Sequence, residues 1–432
     1  MRLLKISKLN TTVLLNGALA SFGLYFCMYA FRKPFSVATF ENQLLFGVDY
    51  KIMLILAQVV GYMLSKFIGI RVVSGLKSKH RVAYLTGMIL FAELTLILFG
   101  FVPRPYNCIL FFFNGLSLGM IWGITFSYLE GRKMTEILSI ILCSSFIVSS
   151  GAVKSVGLWL MTTYGISEFW MPAATGGLFL LPFFICLYFL KKLPAPTDED
   201  IQLRKKRKPM SAADRKRVLM RFSFPIIILV IFYTALTALR DFRDNFSREL
   251  WDSVGYAGDA SIYTLSELPI AFSVLMILGL FGVVKNNFKA FIGFHFLLIL
   301  ASILVGVSTF LFQQGAMSPV NWMVLIGFGL YACYVPFNCI FFDRMIATFK
   351  IEGNAGYLIY IADSFGYLGS MAVLLYKNFG QSNSSWIQFF MGSTYLIAIM
   401  GVAISIISMA YFQKKYKRTQ IDFEIKIPMI NG

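Results

Sequence analysis

Charged side chains lie inside several apolar stretches that are long enough to cross a lipid bilayer. Lys66, Glu93 and Lys154 lie in the N-terminal half of the chain, and Glu267 and Asp363 lie in the C-terminal half. An uncompensated charge at the centre of a membrane helix costs at least about 2.5–3.5 kcal/mol, so each of these residues needs a partner or a wet cavity. They are therefore the first candidates for a binding site.

Two arginines add a second type of chemistry. Arg32 and Arg240 occupy matching places, late in the first and in the seventh apolar stretch. The fixed fork of a guanidinium group binds carboxylate or phosphate oxygens in a bidentate way. The deep cations outnumber the deep acids, which predicts a site that binds an anion between the two halves. The candidate substrate-binding residues are Arg32, Lys66, Arg240, Lys154, Tyr29 and Tyr62.

The acidic residues in the same stretches have two interpretations. They can neutralise the cations, for example Glu93 with Lys66 or Lys154, and Arg240 with Asp241 or Asp244. A buried acid can instead carry a coupled proton. The candidates for proton coupling or charge pairing are Glu93, Glu267, Asp363 and Asp241.

The composition indicates what kind of element positions these residues. Of 432 residues, 58% are hydrophobic and 14% are charged, and the net charge is +18. Soluble proteins average roughly 45–50% apolar and about 25% charged residues. At about 20 apolar residues per crossing, the sequence supplies roughly a dozen helices. It therefore predicts an all-α membrane protein with twelve transmembrane helices in two six-helix bundles.

The order of the apolar windows gives the domain organisation. The predicted helices span residues 11–38, 52–72, 82–101, 107–128, 137–160, 169–190, 222–247, 262–283, 289–312, 320–341, 355–376 and 386–412. The predicted domains are a six-helix half at 1–190, a basic cytoplasmic linker at 191–221, a second half at 222–412 and a cytoplasmic tail at 413–432.

The basic residues follow the predicted topology. With the N-terminus inside, the predicted inner segments hold 29 of the 39 Lys and Arg residues, as the positive-inside rule requires. This places both termini in the cytoplasm. Topology accounts for most of the positive charge, so no nucleic-acid partner is predicted.

Three sequence runs resemble a known family. YFCMYAFRKPFSVATF, VVGYMLSKFIG and GNAGYLIYIADSFGYLGS are similar to the organophosphate:phosphate antiporter branch of the major facilitator superfamily, which includes glycerol-3-phosphate transporters. The chain also resembles uncharacterised bacterial polytopic membrane proteins. The resemblance implies the major facilitator fold in a bacterial cytoplasmic (inner) membrane. It also implies that Arg32 and Arg240 contact a substrate phosphate and that Lys66 lines the same site.

The sequence departs from this family at two functional positions. Ser144 and Ser145 stand where the family places a histidine in the fifth helix, and Val73 replaces the aspartate of the loop after the second helix. These departures leave the solute and the gating contact open.

The function predicted from these observations is secondary active transport of a small phosphorylated or carboxylated anion by alternating access and antiport. Proton-coupled symport of an organic solute is the alternative within transport. An anion sensor or scaffold that does not transport is the alternative from another class. The predicted partners are the solute and the lipid bilayer, and the predicted oligomeric state is a monomer.

Enzyme-like motifs fail in this context. Gly115, Ser117 and Gly119 form a GxSxG string, but they lie in a helical span, and the only histidines are His80 and His295. Glycines at four-residue spacing are typical of close helix packing. The six cysteines have no metal-ligand spacing. We therefore predict no catalytic residue, no metal and no cofactor.

Overall fold

The computed structural model describes residues 8–129, 132, 135–194, 212–351, 355–380 and 384–426. In these ranges the chain is almost entirely helical, as the composition predicts. The α-helices are α1 Lys8–Met28, α2 Tyr50–Gly75, α3 Arg81–Phe101, α4 Cys108–Leu118, α5 Ile121–Leu129, α6 Thr135–Tyr164, α7 Met171–Lys191, α8 Ala212–Asn245, α9 Ser247–Ser253, α10 Ser261–Val283, α11 Asn287–Gln313, α12 Pro319–Cys339, α13 Phe341–Thr348, α14 Ala355–Leu375 and α15 Trp386–Lys426.

The helices have the length and the apolar surfaces of membrane spans. Within the described ranges, 11 helices are long and apolar enough to cross a bilayer. The remaining predicted span, 355–376, forms α14. Large apolar side chains such as Leu19, Leu181 and Ile399 are each 70% exposed. Exposed apolar surface on this scale marks a lipid-facing protein, which confirms the all-α membrane architecture.

The first helix ends earlier than predicted. The α-helical part of the predicted helix 11–38 stops at Met28, and two 3₁₀ turns, Tyr29–Phe31 and Pro34–Val37, follow it. Pro34 has no backbone N–H to donate to the Ala30 carbonyl, and its ring clashes with that carbonyl in a regular helix. The prediction of a continuous helix was therefore wrong at this point.

A short β-hairpin precedes α2. Its strands, β1 Leu44–Leu45 and β2 Val48–Asp49, are antiparallel. Phe46 and Gly47 both have positive φ, 54° and 76°, as a two-residue hairpin turn requires. The side chain of Asp49 then accepts a hydrogen bond from the Lys51 amide and caps α2.

The seventh predicted helix is the C-terminal part of a longer one. Helix α8 begins at Ala212 and contains a non-helical residue at Phe222, where the prediction had placed its start. Pro225 explains the kink because it cannot donate to the Arg221 carbonyl. The rest of the predicted linker, residues 195–211, lies outside the described residues.

The predicted tail at 413–432 begins as helix. Helix α15 continues without a break from Trp386 to Lys426. Residues 427–432 lie outside the described residues.

Glycines allow α2 and α4 to pack backbone against backbone. A Cβ atom at Gly61 would lie 2.0 Å from the Phe112 carbonyl oxygen, and one at Gly115 would lie 2.1 Å from the Gln58 carbonyl oxygen. A Cβ atom at Gly119 would lie 2.6 Å from the Ser65 Cβ. The GxSxG string is therefore a packing motif, as its four-residue spacing indicates.

The chain forms two compact units. Unit 1 comprises Met1–Lys205, Asp241–Gly279 and Met371–Phe390, and unit 2 comprises Lys206–Arg240, Leu280–Ser370 and Met391–Gly432. Residues that the sequence assigns to the C-terminal half thus contribute to unit 1. The predicted division into consecutive halves stays a prediction.

Candidate functional site

The break after α1 places Arg32 in the interior of unit 1. Arg32 ends the first 3₁₀ turn, and its amide bonds to the Tyr29 carbonyl. The residue is only 8% exposed. A guanidinium group remains charged even when it is buried, so this turn holds a permanent positive charge inside the unit.

Polar side chains of two neighbouring helices fix this turn. The Gln58 side-chain amide donates to the Arg32 carbonyl at 3.0 Å and to the Asn114 Oδ1 at 2.9 Å. Asn114 in turn donates to the Phe31 carbonyl at 3.1 Å. Because these carbonyls lie at a helix break, they need donors from outside the helix. The backbone that carries Arg32 is therefore held in place.

Two tyrosine rings lie near the Arg32 side chain, and a lysine lies near one of them. The guanidinium carbon lies 3.9 Å from the centre of the Tyr62 ring and 6.0 Å from that of Tyr29. The Lys66 ammonium lies 5.7 Å from the Tyr62 ring centre. Two predicted site residues, Arg32 and Lys66, thus lie over the ring of a third, Tyr62, and the fourth, Tyr29, lies on the Arg32 side. Gln58, Tyr62 and Lys66 recur every four residues, so they lie on one face of α2.

The fifth predicted residue of this unit, Lys154, is in a different cluster. Its ammonium binds Asp244 twice, at 2.5 Å to the carboxylate Oδ1 and at 2.5 Å to the backbone carbonyl. The other carboxylate oxygen of Asp244 pairs with Lys33, and the Ser150 hydroxyl donates to Oδ1. Lys33 also donates to Asn245 at 2.8 Å. We call Lys33, Lys154 and Asp244 the lysine–aspartate cluster.

The pKa of Lys33 depends on its burial and on the charges around it. Lys33 lies beyond the apolar span Leu14–Phe31. Burial lowers the pKa of its ammonium, the charges of Asp244 and Asp241 raise it, and those of Arg32 and Lys154 lower it, so that the pKa is about 8. Lys33 therefore keeps its proton at neutral pH and loses it in mildly alkaline solution.

Unit 1 contains further buried ion pairs. Arg243 binds Glu267 at 2.7 Å, and Lys51 binds Glu249 at 2.5 Å. Burial raises the pKa of the Glu249 carboxyl, although the Lys51 charge lowers it. Glu267, a candidate for proton coupling, is thus an ion-pair partner. Asp241 is buried in the same unit, at 8% exposure.

Glu93 lacks such a partner. It is 7% exposed, and its Oε2 atom accepts no hydrogen bond from the residues that the structure describes. A Cβ atom at Gly176 would lie 2.1 Å from that oxygen and 3.1 Å from the Phe31 ring. The predicted pairing of Glu93 with Lys154 does not occur, because Lys154 binds Asp244 instead.

Unit 2 contains a second arginine on an aromatic ring. The Arg240 guanidinium carbon lies 3.9 Å from the centre of the Tyr334 ring, which stacks on Tyr233 with a centroid distance of 5.1 Å. The Tyr233 hydroxyl donates to Asp363 at 2.5 Å and contacts Asn338. Two predicted residues, Arg240 and Asp363, therefore belong to one polar network.

Sequence reasoning missed several members of these sites. Tyr334 and Gln58 were not proposed, although Gln58 lies one turn before Tyr62 in an apolar helix. Lys33 and Asp244 are likewise absent from the predicted site. Their pairing joins residues that are far apart in the sequence, which local spacing does not encode.

Comparison with sequence families identifies the chain. Residues 34–415 match the family of unknown function DUF5690. The chain belongs to this DUF5690 family. No curated protein matches the sequence of the chain.

Solved structures show the fold of this DUF5690 chain. A D-xylose–proton symporter matches with a TM-score of 0.61 and 13% identity over 92% of this chain and 97% of the symporter. A bacterial homologue of the human drug peptide transporters PepT1 and PepT2 matches with a TM-score of 0.60 and 14% identity over 95% and 99%. The nucleoside transporter NupG matches with a TM-score of 0.58 and 15% identity over 93% and 99%.

These likenesses confirm the predicted major facilitator fold. Identities this low show the fold alone, because one fold hosts many functions. The narrower assignment to the organophosphate antiporter branch stays a prediction. Among the residues described here, no group of three or more His, Cys, Asp or Glu side chains is placed to hold a metal ion.

Proposed function

We propose that the protein is a secondary active transporter that moves a small anionic solute, phosphorylated or carboxylated, by alternating access and antiport. The fold supports transport, since the similar structures are transporters of a sugar, a nucleoside and, by homology, peptides. The proposal that the solute is an anion depends on one observation. Each unit contains an arginine stacked at 3.9 Å on a tyrosine ring.

Stacking on a ring suits a binding arginine. A cation–π contact between the guanidinium group and the face of a tyrosine ring restricts where that cation lies, which positions a charge that an anion can approach. In unit 1 the Lys66 ammonium adds positive potential beside the same ring. We assign anion binding to Arg32, with Tyr29, Tyr62 and Lys66 as positioning residues, and we assign Arg240 the corresponding role in unit 2. Whether both arginines contact one solute stays a prediction.

Counterflow in proteoliposomes tests this proposal. Vesicles are loaded with unlabelled phosphate, glycerol phosphate or succinate, and uptake of the same labelled anion is followed. We expect exchange by the wild-type protein and its loss in Arg32→Ala and in Arg240→Ala. Arg248→Ala is the matched control, because Arg248 is an arginine that pairs with a carboxylate of its own, that of Asp252, at 2.6 Å. Exchange by Arg32→Ala at the wild-type rate contradicts the assignment, and anion binding without flux supports a sensor.

Proton-coupled symport is a second candidate, which Glu93 favours. A buried carboxylate without a partner among the described residues is a default candidate for carrying a proton within a membrane. Symport predicts uptake driven by an inward proton gradient without counter-substrate, and loss of that uptake in Glu93→Gln. Uptake that is indifferent to the gradient supports antiport.

We also propose a location in the bacterial cytoplasmic membrane, as a monomer with both termini in the cytoplasm. The distribution of lysine and arginine supports this topology. Reporter fusions after Lys191 and at the C-terminus test it. Both fusions should report a cytoplasmic position, and a periplasmic signal from either one contradicts the topology.

A further inference from the structure

Among its own three side chains, the lysine–aspartate cluster has one more positive than negative charge; the charges of Asp241 and Arg32 also act on Lys33, with opposite signs. Two ammonium groups, those of Lys33 and Lys154, share one carboxylate, that of Asp244. The side chains of the two lysines are 5% and 3% exposed, and that of Asp244 is 13% exposed. Burying an uncompensated charge is costly, so a surplus of one charge indicates a place for a further anion.

The hydrogen-bond donors of the cluster lead to the same conclusion. An ammonium group has three N–H donors. Lys33 uses two of them, on Asp244 and Asn245, and Lys154 uses two, on the carboxylate and the carbonyl of Asp244. Within the described part of the chain, each ammonium therefore keeps one donor without a protein acceptor. One oxyanion could accept both of these donors with two of its oxygen atoms, and its negative charge would neutralise the surplus positive charge.

A neighbouring ion pair shows that this surplus is specific to the cluster. Lys51 is equally buried, at 2% side-chain exposure, but it has its own carboxylate, that of Glu249 at 2.5 Å. This pair is neutral and offers no charge to a further anion. Lys51 is therefore the matched control for the cluster.

We propose that Lys33 and Lys154 form a second anion-binding subsite, which takes one oxyanion group beside the Asp244 carboxylate. The subsite rests on the proposed function in one respect, because it assumes that the transported solute also binds at Arg32. The solute is then a compound with two acidic groups, one bound at Arg32 and one bound at the two lysines. Lys33 follows Arg32 directly in the chain, so one turn of backbone carries a cation of each site.

Sulfate is a suitable probe because its charge is constant around neutral pH. Binding of radiolabelled sulfate is measured on the detergent-purified full chain in an Arg32→Gln background, which removes the first anion site. In this background Lys33→Gln and Lys154→Gln should each weaken sulfate binding at least tenfold, because the remaining lysine and Asp244 neutralise each other. Asp244→Asn should strengthen binding, because the surplus rises from one charge to two. Lys51→Gln should leave it unchanged.

Several results would overturn the subsite. These are absence of sulfate binding by folded Arg32→Gln protein, undiminished binding in both lysine variants, or an equal loss in Lys51→Gln. The two lysine variants decide the question even where Asp244→Asn does not fold. These equilibrium measurements are independent of counterflow, so failure of the subsite and failure of transport are distinguishable.

The solute class has its own test. Succinate and butyrate have the same number of carbon atoms, but succinate has two carboxylates and butyrate has one. In the wild-type protein succinate should displace labelled sulfate at concentrations at least tenfold lower than butyrate, and Lys154→Gln should reduce this preference. Equal displacement by the two acids contradicts the two-group solute.

Discussion

Replacing Asp244 by alanine should strongly destabilise unit 1. The substitution leaves the ammonium groups of Lys33 and Lys154 buried without their carboxylate. Removing one partner of a buried ion pair typically costs about 3–5 kcal/mol, because the remaining charge stays desolvated. Two charges are left here, and Asp244 is partly exposed, so we expect a loss of about 3–5 kcal/mol rather than twice that value.

The matched control is Asp252→Ala. Asp252 pairs with Arg248 at 2.6 Å, but the two side chains are 29% and 17% exposed. An ion pair of this exposure contributes about 0–1 kcal/mol. The free energy of unfolding is measured by titrating the reconstituted wild-type and variant proteins with denaturing detergent. Added sulfate should recover part of the loss in Asp244→Ala and leave Asp252→Ala unchanged.

The comparison between the two variants decides the interpretation. If Asp244→Ala loses no more free energy of unfolding than Asp252→Ala, the cluster does not stabilise unit 1. The two lysines would then have another counter-charge, and the charge count behind the second subsite would be wrong.

Three further predictions concern the same unit. In equilibrium binding, Tyr62→Leu should weaken anion binding at Arg32 by about 5–30-fold, because it removes a cation–π contact of about 1–2 kcal/mol. Tyr62→Phe keeps the aromatic ring and should bind the anion nearly as well as the wild-type protein does. Gly115→Ala should destabilise the protein by about 1–3 kcal/mol in the same unfolding assay, because the new Cβ atom would lie 2.1 Å from a backbone oxygen. Gly87→Ala is the control and should leave the free energy of unfolding unchanged, because nothing lies within 4 Å of a Cβ atom at Gly87. Sulfate binding to Arg32→Gln protein should weaken as the pH rises through about 8, because the buried Lys33 has its pKa lowered to about 8. Deprotonation of Lys33 removes the surplus positive charge. Sulfate binding that stays constant from pH 7 to about 9 contradicts this prediction.

The sequence predicted the membrane fold because that fold follows from composition and from the length of apolar stretches. It also predicted that Arg32, Tyr62 and Lys66 meet. The spacing of Tyr62 and Lys66 places both on one face of a helix, and the resemblance to a transporter family placed Arg32 beside them.

Other features could not be predicted in the same way. Hydropathy does not predict the break at Pro34, because it averages over a proline that has a strong local effect. The ion pairs of Lys33 and Lys154 with Asp244 depend on contacts between distant parts of the chain. The stacking of Arg240 on Tyr334 has the same origin.

Anomalous diffraction from crystals grown with tungstate tests the central claim most directly, because the metal atom locates an oxyanion without ambiguity. We predict a tungstate peak in contact with the Arg32 guanidinium beside the Tyr62 ring, and its loss in crystals of Arg32→Gln. Peaks confined to lysines at the protein surface, with none at Arg32, would contradict an anion-binding site in this membrane protein.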